Sequence, residues 1–406
     1  MENIKSKIIK EVEKGAKEEI KFLQKLVQTP SSNPFVSDPL KSSPYESIEK
    51  DVAELIFDRL SNIGLSPKFV GISGNRPNVV AEFGKGEKTL IFNGHMDTVV
   101  PSQNYSFNPW AGFIKKGKLY GVGASDMKAS LAAYIFAAKA LLKFLNKISG
   151  KICLQFVIDE EPMAASNFGT LYLLEKGFLG NAAIVGEPGD HKITIGNKGG
   201  YRFKIETLGE AVHTGSREWE QKEKGKNAIL DMARMIEALS QFNFPKGEYP
   251  VFPGRKNVLT FPTEISGGKA INIVPDSCIA FGDARLLPGV TKEYMEKQIK
   301  QTLKSAGFNH DYKLIPIVYV PSTFVDKKEP LVQILQANAN LILKKKPILE
   351  GSGPWSDMWM FVEKGIPAVN FGCRGEGIHA KDEYVEVKSV IEVTKIYALS
   401  ALDFLN

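Results

Sequence analysis

Short apolar segments that alternate with helix-like segments are the feature that most constrains the fold of this 406-residue chain. Residues 89–92, 152–158 and 182–185 have the length and apolar composition of buried strands. A helix rich in Ala and Leu is predicted between the first two strands, over residues 127–145. Strands that alternate with helices indicate an α/β sheet. Helices are also predicted over 1–25, 44–63 and 168–176, and strands over 68–72 and 78–83.

The pattern changes near residue 198 and returns near residue 329. Residues 201–208 alternate apolar and polar side chains, as a strand with one solvated face does. We therefore predict one α/β domain, residues 1–197 and 321–406, that is interrupted by an α+β unit, residues 198–320. In the insert we predict strands over 257–263, 273–284 and 313–320 and helices over 228–240 and 292–306. After the insert we predict a helix over 331–343, a glycine-rich loop over 351–354, a helix over 357–364 and a strand over 368–371.

The composition is that of a globular protein, with 43% hydrophobic and 24% charged residues. No apolar run approaches the roughly 20 residues of a membrane-spanning helix, and the charged N-terminal helix has no signal-peptide core. The three cysteines are widely separated and suggest no disulfide framework. We therefore expect a cytoplasmic protein that binds no membrane. The net charge of +6 is modest and its lysines are scattered, so we expect no nucleic-acid partner, although anionic small substrates suit such a charge.

Polar residues that bind metals or carry protons fall at predicted strand ends or in loops after them. The carboxyl ends of strands meet at one edge of an open α/β sheet, where such folds place their sites. Two histidines and three carboxylates suffice for two divalent metal ions with one bridging carboxylate, and this ligand set suits zinc, and also cobalt or manganese. A remaining carboxylate is available as general base. The residues are His95, Asp97, Asp126, Glu160, Glu161, Glu187 and His379.

Each of these residues also has a plainer interpretation. Asp126 alone is equally typical of a helix N-cap, and the pair Glu160 and Glu161 is typical of a solvated turn. Glu187 stands before a proline, as at many strand exits, and His379 lies alone in a loop. The residue pattern does not say which of Glu160 and Glu161 binds metal and which moves protons. Their shared position at strand exits favours the metal-site interpretation.

Four motifs resemble those of the M20 metallopeptidases, which include acetylornithine deacetylase, succinyl-diaminopimelate desuccinylase, aminoacylase-1 and glutamate carboxypeptidase-type enzymes. They are 94–101 (GHMDTVVP), 121–128 (GVGASDMK), 159–161 (DEE) and 185–188 (VGEP), in the family's order. The resemblance covers nearly the whole chain, and motifs of this length and order are specific. It implies a zinc-peptidase-like catalytic domain, with a mixed, largely parallel sheet flanked by helices, interrupted by a smaller α+β lid and dimerisation domain.

The resemblance implies how two zinc ions would be held. His95, Asp126 and Glu187 would bind one ion. Asp126, Glu161 and His379 would bind the other, so that Asp126 bridges the two.

Two further carboxylates have implied roles beside the metals. Glu160 would be the general base that takes a proton from the bridging water and passes it to the leaving amine. Asp97 would orient the imidazole of His95. A carboxylate that binds metal has its lone pairs committed, so a second one must carry the proton.

The inserted unit resembles the family's lid and dimerisation domain, which implies a homodimer. His213, in 209–215 (GEAVHTG), would reach the active site of the other subunit and stabilise the tetrahedral oxyanion. Asn272 and Arg285 would bind a substrate carboxylate, for which the planar guanidinium is well suited. Ser352 and Gly353 would line the substrate pocket. Considered without the resemblance, Asn272 and Arg285 are more typical of an edge strand and a surface ion pair.

These features predict a two-metal amidohydrolase that removes an acetyl or succinyl group from an N-acyl amino acid. The alternative is a metallo-carboxypeptidase or dipeptidase that cleaves short peptides, and a third hypothesis is an inactive relative that only binds ligands. Pro354 and Trp355 depart from the small residues that are usual in the family's glycine-rich loop. The resemblance therefore does not define the shape of the pocket at this point.

Overall fold

The structure of the protein is a computed structural model, which describes residues 2–33, 49–71, 74, 76–161, 167–190, 192–245, 247–309 and 311–406. It comprises two compact units. The first consists of Met1–Asn197, Phe324–Ser352 and Ser356–Asn406, and the second of Lys198–Thr323 and Gly353–Trp355. Each unit has its own sheet and its own apolar core.

Helices and strands in the described part of the chain are numbered in chain order. The helices are α1 (Glu2–Gln28), α2 (Lys50–Asn62), α3 (Ala129–Leu141), α4 (Thr170–Glu175), α5 (Arg217–Glu220), α6 (Ala228–Ser240), α7 (Lys292–Ser305), α8 (Pro330–Leu343), α9 (Met358–Glu363) and α10 (Val387–Leu405). The strands are β1 (Lys68–Val70), β2 (Asn78–Gly84), β3 (Thr89–His95), β4 (Phe113–Lys115), β5 (Lys118–Tyr120), β6 (Lys151–Val157), β7 (Ala182–Val185), β8 (Lys192–Asn197), β9 (Gly199–Leu208), β10 (Val258–Gly267), β11 (Ser277–Leu286), β12 (Tyr312–Val320), β13 (Thr323–Phe324), β14 (Ile348–Ser352), β15 (Ala368–Asn370), β16 (Gly375–Glu376) and β17 (Tyr384–Glu386).

The first unit is organised around a mixed sheet in the order β1-β2-β6-β3-β7-β15-β8-β13, with β14 beside β8. The central strands β6, β3, β7 and β15 pair in parallel, whereas β2 joins β6 antiparallel. Every residue of β3 is buried, because helices and loops cover both faces of the sheet. The predicted α/β class with a mixed, largely parallel sheet is confirmed.

A small antiparallel sheet, β16-β17-β5-β4, joins distant parts of the first unit. It pairs the segment after β3 with the segment before α10, through β5 and β17. The residues that precede α3 are thereby tied to the chain around residue 380. This sheet was not predicted, because its strands have only two or three residues each.

The helix predicted over residues 127–145 is shorter in the structure. Asp126 and Met127 have non-helical backbone angles, α3 begins at Ala129, and a tighter turn follows over Leu142–Lys147. By length and composition, Ala124–Lys147 is the one stretch of the described chain that is apolar enough to cross a membrane, and 67% of its most apolar window is buried inside the protein. Its α-helical part has 13 residues and spans about 20 Å, less than the roughly 30 Å of a bilayer core.

Some predicted boundaries were wrong, and one long helix was missed. Helix α10 was not predicted, although the polar residues Lys388, Glu392 and Lys395 recur along it at helical spacing. Residues 351 and 352 end β14 instead of lying in a loop, and the strand predicted from residue 273 begins only at Ser277. Residues 44–48 of the second predicted helix lie outside the described residues, and α2 begins at Lys50.

The second unit is a four-stranded antiparallel sheet in the order β10-β11-β9-β12. Alternate residues of β9 and β11 point into a core, where Tyr201, Phe203 and Ala284 pack with α6 and α7. The other face of the same strands carries Arg202 and Arg285, which are partly exposed. The alternating pattern predicted over residues 201–208 is confirmed, and helix α6 has the predicted bounds.

The buried contacts of α10 predict a large loss of stability when one of its core side chains is shortened. Ile396 is fully buried, and we expect Ile396→Ala to lower the free energy of unfolding by about 2–5 kcal/mol. Urea denaturation followed by circular dichroism measures the change. Lys388→Ala is the matched control on the same helix, because 83% of the Lys388 side chain is exposed. Equal stability of the two variants would contradict the packing described for α10.

Candidate metal centre

The Asp126 carboxylate lies between two histidine side chains. His95 is the last residue of β3, and its Nε2 is 3.2 Å from Oδ1 of Asp126. His379, on the loop before β17, places its Nε2 3.3 Å from Oδ2 of the same carboxylate. The two oxygens of one carboxylate therefore face two different imidazoles. The N-cap interpretation of Asp126 is wrong, because its side chain makes no capping hydrogen bond and α3 begins three residues later.

Two further carboxylates complete two groups of three ligands. Glu187 follows β7, and its Oε1 is 3.9 Å from Nε2 of His95. Glu161 follows β6, and its Oε2 is 2.9 Å from Nε2 of His379. In each group the ligand atoms all lie within 4.8 Å of one another, and Asp126 belongs to both. The structure thus brings together all five residues that sequence reasoning predicted as metal ligands.

The electrostatics of the groups follow from burial and close charges. Hydrogen bonds to Asp126 and Glu161 raise the pKa of His379 to about 11. Burial opposes a charged His95, but the hydrogen bond to Asp126 and nearby carboxylates still hold the pKa of His95 well above its usual value. Burial and the charge of Asp126 raise the pKa of Glu187 strongly. Without cations, protons therefore neutralise part of the excess negative charge.

Glu160 is buried next to these groups but belongs to neither of them. Burial, and then the charge of Glu187, raise the pKa of Glu160 well above its usual value. Its neighbour Glu161 instead contacts His379 directly. The geometry therefore separates two adjacent carboxylates that the residue pattern alone left equivalent.

The Asp97 carboxylate does not make the closest contact with His95. Nδ1 of His95 is 2.9 Å from the backbone carbonyl oxygen of Asp97 and 3.6 Å from its carboxylate. Oδ2 of Asp97 instead accepts hydrogen bonds from the Asn33 side chain, at 2.7 Å, and from the backbone N–H of Glu161, at 3.0 Å. Asp97 thus holds the Glu161 backbone as well as lying beside His95. Sequence reasoning missed Asn33, which carries no recognisable signal.

Glu383 shapes the turn that carries Asp126. Its buried carboxylate accepts hydrogen bonds from the backbone N–H groups of Gly123, Ser125 and Asp126, at 2.8–3.0 Å. Burial raises the pKa of Glu383 to about 7. Gly123 has a φ of 76°, a conformation that favours glycine, so the second motif has a glycine where the turn requires one. Sequence reasoning missed Glu383, although its place four residues after His379 offered a signal.

A buried ion pair supports the loop that carries Glu160 and Glu161. Arg76 and Glu49 are fully buried, and the Arg76 guanidinium donates to both oxygens of Glu49. Nη1 of Arg76 also lies 3.8 Å from Oδ1 of Asp159, the residue before Glu160. Arg76 and Glu49 gave no signal in the sequence, because buried ion pairs depend on distant segments.

The predicted residues of the second unit form two separate arrangements. His213 accepts a hydrogen bond from the Gly215 N–H at Nδ1, and its Nε2 is 3.4 Å from the Asn272 side-chain amide. Arg285 instead donates to Asp283 from Nε and Nη2, and its guanidinium faces the ring of Trp355.

The two residues predicted to line the substrate pocket fall in different units. Ser352 ends β14 in the first unit, and Gly353 is grouped with the second. A Cβ atom on Gly353 would lie 2.7 Å from the guanidinium of Arg255, so this position accepts no side chain without a shift of that group.

The donor set fits two divalent cations. It consists of imidazole nitrogens and carboxylate oxygens, the ligands that zinc, cobalt and manganese share. Oε1 of Glu187 is buried and has no hydrogen-bond partner among the described residues, as expected of an atom that binds a cation. Cations would also relieve the mutual repulsion of the buried carboxylates.

The contacts of Glu383 predict that it sets metal affinity without binding metal. Glu383→Ala leaves three backbone N–H groups of the Asp126 turn without their acceptor, and we expect zinc affinity to fall about 10- to 100-fold. Calorimetric titration of the metal-free protein with Zn²⁺ measures this. Glu376→Ala is the control, because Glu376 is an exposed acid of the same segment. Unchanged affinity in Glu383→Ala would rule out the positioning role.

The chain matches known hydrolases over most of its length. The family described as Peptidase family M20/M25/M40 matches residues 91–403. A succinyl-diaminopimelate desuccinylase from Pelagibacter ubique (strain HTCC1062) is 25% identical over 400 residues, which cover 94% of this chain and 97% of that protein.

Solved structures share the fold. The di-peptidase Dug1p from Saccharomyces cerevisiae has a TM-score of 0.76 at 16% identity, over 100% of this chain and 99% of that one. The M20 family metallo-carboxypeptidase Sso-CP2 from Sulfolobus solfataricus has a TM-score of 0.74 at 18% identity, over 96% of this chain and 99% of that one. The predicted family and the prediction of an enzyme are confirmed: this chain belongs to Peptidase family M20/M25/M40, a family of metal-dependent peptidases and amidohydrolases.

Proposed function

We propose that this M20 hydrolase removes an acetyl or succinyl group from an N-acyl amino acid, with two zinc ions as cofactors. The observation that carries the proposal is the pair of histidine–carboxylate groups that share Asp126, with Glu160 as a separate buried carboxylate. The similarity to a desuccinylase over nearly the whole chain supports an acylated amino acid as substrate.

The residues of the first unit divide the chemistry between metal binding and proton transfer. His95, Asp126 and Glu187 would hold one ion, and Asp126, Glu161 and His379 the other. When bound, divalent ions would polarise the scissile carbonyl and lower the pKa of a water to about 7. Glu160 would take a proton from the attacking water and give it to the leaving amine, a task that suits a carboxylate with a raised pKa.

The second unit supplies the groups that bind substrate. His213 donates a hydrogen bond to the tetrahedral oxyanion from Nε2, which is consistent with Nδ1 accepting from the Gly215 N–H. Asn272 and Arg285 bind the carboxylate of the amino acid. Ser352 and Gly353 line the pocket beside them.

We also propose that the protein acts as a homodimer through the second unit. Strand β10 is an edge strand of ten residues, with Val258 and Ile265 about half exposed. Leu230, on the neighbouring helix α6, is 57% exposed. An exposed edge strand with apolar residues is suited to pair with a second copy.

The alternative function is a metallo-carboxypeptidase or dipeptidase. The similarity of the fold to a di-peptidase and a metallo-carboxypeptidase is the observation in its favour. The two functions share the metal centre and the base, and they differ in the group on the acyl side of the scissile amide.

A substrate panel tests the proposed function. We expect metal-loaded protein to release the amino acid from N-acetyl-ornithine, N-succinyl-diaminopimelate or a related N-acyl amino acid, and we expect a chelator to abolish the release. Hydrolysis of dipeptides alone would support the peptidase alternative. No hydrolysis of either substrate class by the metal-loaded protein would instead support the hypothesis of an inactive relative.

Glu160→Ala tests the proton-transfer role within the same assay. We expect a loss of turnover by at least 100-fold with unchanged metal content, because a general base contributes about 10²–10⁴-fold. Glu161→Ala is the comparison, since it removes a ligand and should lower metal content as well. Normal turnover in Glu160→Ala would contradict the assignment.

Mixing two inactive variants tests whether His213 acts across subunits. A hybrid dimer of His213→Ala with Glu160→Ala contains one site with an intact base and an intact histidine from the partner. We expect activity to return when the two variants are refolded together or exchanged, up to about a quarter of the wild-type level for random pairing. No recovery after confirmed subunit exchange would place the complete site within one chain.

A further inference from the structure

Trp355 occupies a specific place on the second unit's sheet. Its side chain is 92% buried, and its ring centroid lies 4.2 Å from the Arg285 guanidinium carbon and 4.7 Å from that of Arg202. A Cβ atom on Gly200 would come within 1.7 Å of the ring. The indole therefore covers the spot where strand β9 lacks a side chain.

Strand register explains why these groups meet. Gly200 pairs with Arg285, and Arg202 pairs with Asp283, across the antiparallel strands β9 and β11. Directly paired residues share one face of a sheet, so the three charged side chains surround the gap at Gly200. Trp355 fills this gap. A small residue at position 355 would remove the indole contact from both guanidinium groups.

The contacts hold Arg285 in one orientation. Asp283 accepts from Nε at 3.1 Å and from Nη2 at 2.9 Å with the same oxygen, Oδ2, which fixes one edge of the guanidinium. Trp355 covers its face. Among the described residues nothing accepts a hydrogen bond from Nη1, so the edge formed by Nη1 and Nη2 is available to a carboxylate.

Other cations lie close to this edge. Burial, and then the positive charges of Arg255 and Arg285, lower the pKa of Lys198. The positive charges of Lys198, Arg255 and Arg285 thus repel one another, and Asp283 offsets part of this repulsion. An anionic ligand would weaken the repulsion further.

We propose that Trp355 is a positioning residue that determines specificity. Its ring packs on Gly200 and holds the Arg285 guanidinium so that the free Nη1–Nη2 edge of Arg285 binds a ligand carboxylate. The inference rests on the proposed role of Arg285 in substrate binding and adds that the indole sets the preference for a carboxylate over an uncharged amide. Trp355 does not itself touch the reacting atoms.

A binding experiment tests the proposal apart from turnover. The probes are N-acetyl-L-alanine and N-acetyl-L-alaninamide, and each is titrated by calorimetry into the zinc-loaded full chain. Every protein in this experiment also carries Glu160→Gln. The quantity measured is the ratio of the two dissociation constants. We expect the wild-type Trp355 chain to prefer the carboxylate, and Trp355→Leu to reduce that preference about tenfold, the order of a desolvated cation–π contact. Trp355→Phe keeps an aromatic face and should retain most of it.

Gly200→Ala provides an independent perturbation of the same contact. Its methyl group would displace the ring, so we expect it to reduce the carboxylate preference as Trp355→Leu does, and to add little when combined with Trp355→Leu. Thermal unfolding and zinc content verify that each variant is folded. Additive effects of the two substitutions would overturn the coupling between Gly200 and Trp355.

The outcomes separate this inference from the proposed function. The protein could show a carboxylate preference that depends on Trp355 and still hydrolyse none of the substrate panel. That result would support the inference and contradict the proposed deacylase function. Two results would overturn the inference: an unchanged ratio in Trp355→Leu, or no binding of either probe to the chain that retains Trp355. A purely structural role of Trp355 predicts an unchanged ratio with equal weakening of both probes.

Discussion

The shared carboxylate of Asp126 is the contact on which the rest of the centre depends. One oxygen faces His95 and the other faces His379, although these residues are far apart in the chain. A carboxylate can be shared in this way only if its backbone is held in a fixed position. Glu383 provides this by accepting hydrogen bonds from three backbone N–H groups of the turn, and the sheet that contains β5 and β17 brings Glu383 there.

Burying this many acids in one place is unfavourable without compensation. Burial raises the pKa of Glu160, Glu161 and Glu187, and the charge of a neighbouring carboxylate raises each of these pKa values further. Divalent cations are the compensation that the donor set fits. Away from the ligands, the buried Arg76 offsets the charges of Glu49 and Asp159, so the loop of Glu160 is held by a pair that does not compete for metal.

The sequence predicted the α/β class, the interruption near residue 198 and the residues that converge on the centre, because strand-end polar residues and long motifs are local signals. It missed α10, although Lys388, Glu392 and Lys395 recur there at helical spacing. It placed the start of α3 too early because Asp126 and Met127 resemble the beginning of a helix. It also assigned the Asp97 carboxylate to His95, whereas the closer oxygen is the Asp97 carbonyl.

The sequence by itself therefore determined the family, the class of fold and which side chains are available for metal and proton chemistry. Tertiary structure alone decided what holds the Asp126 turn and where Trp355 packs. These depend on contacts between residues that are up to 260 positions apart, as for Glu383 and Gly123, and such contacts leave no local pattern. Periodicity and motifs report only on neighbours in the chain, whereas the position of a buried charge is set by the segments that fold around it.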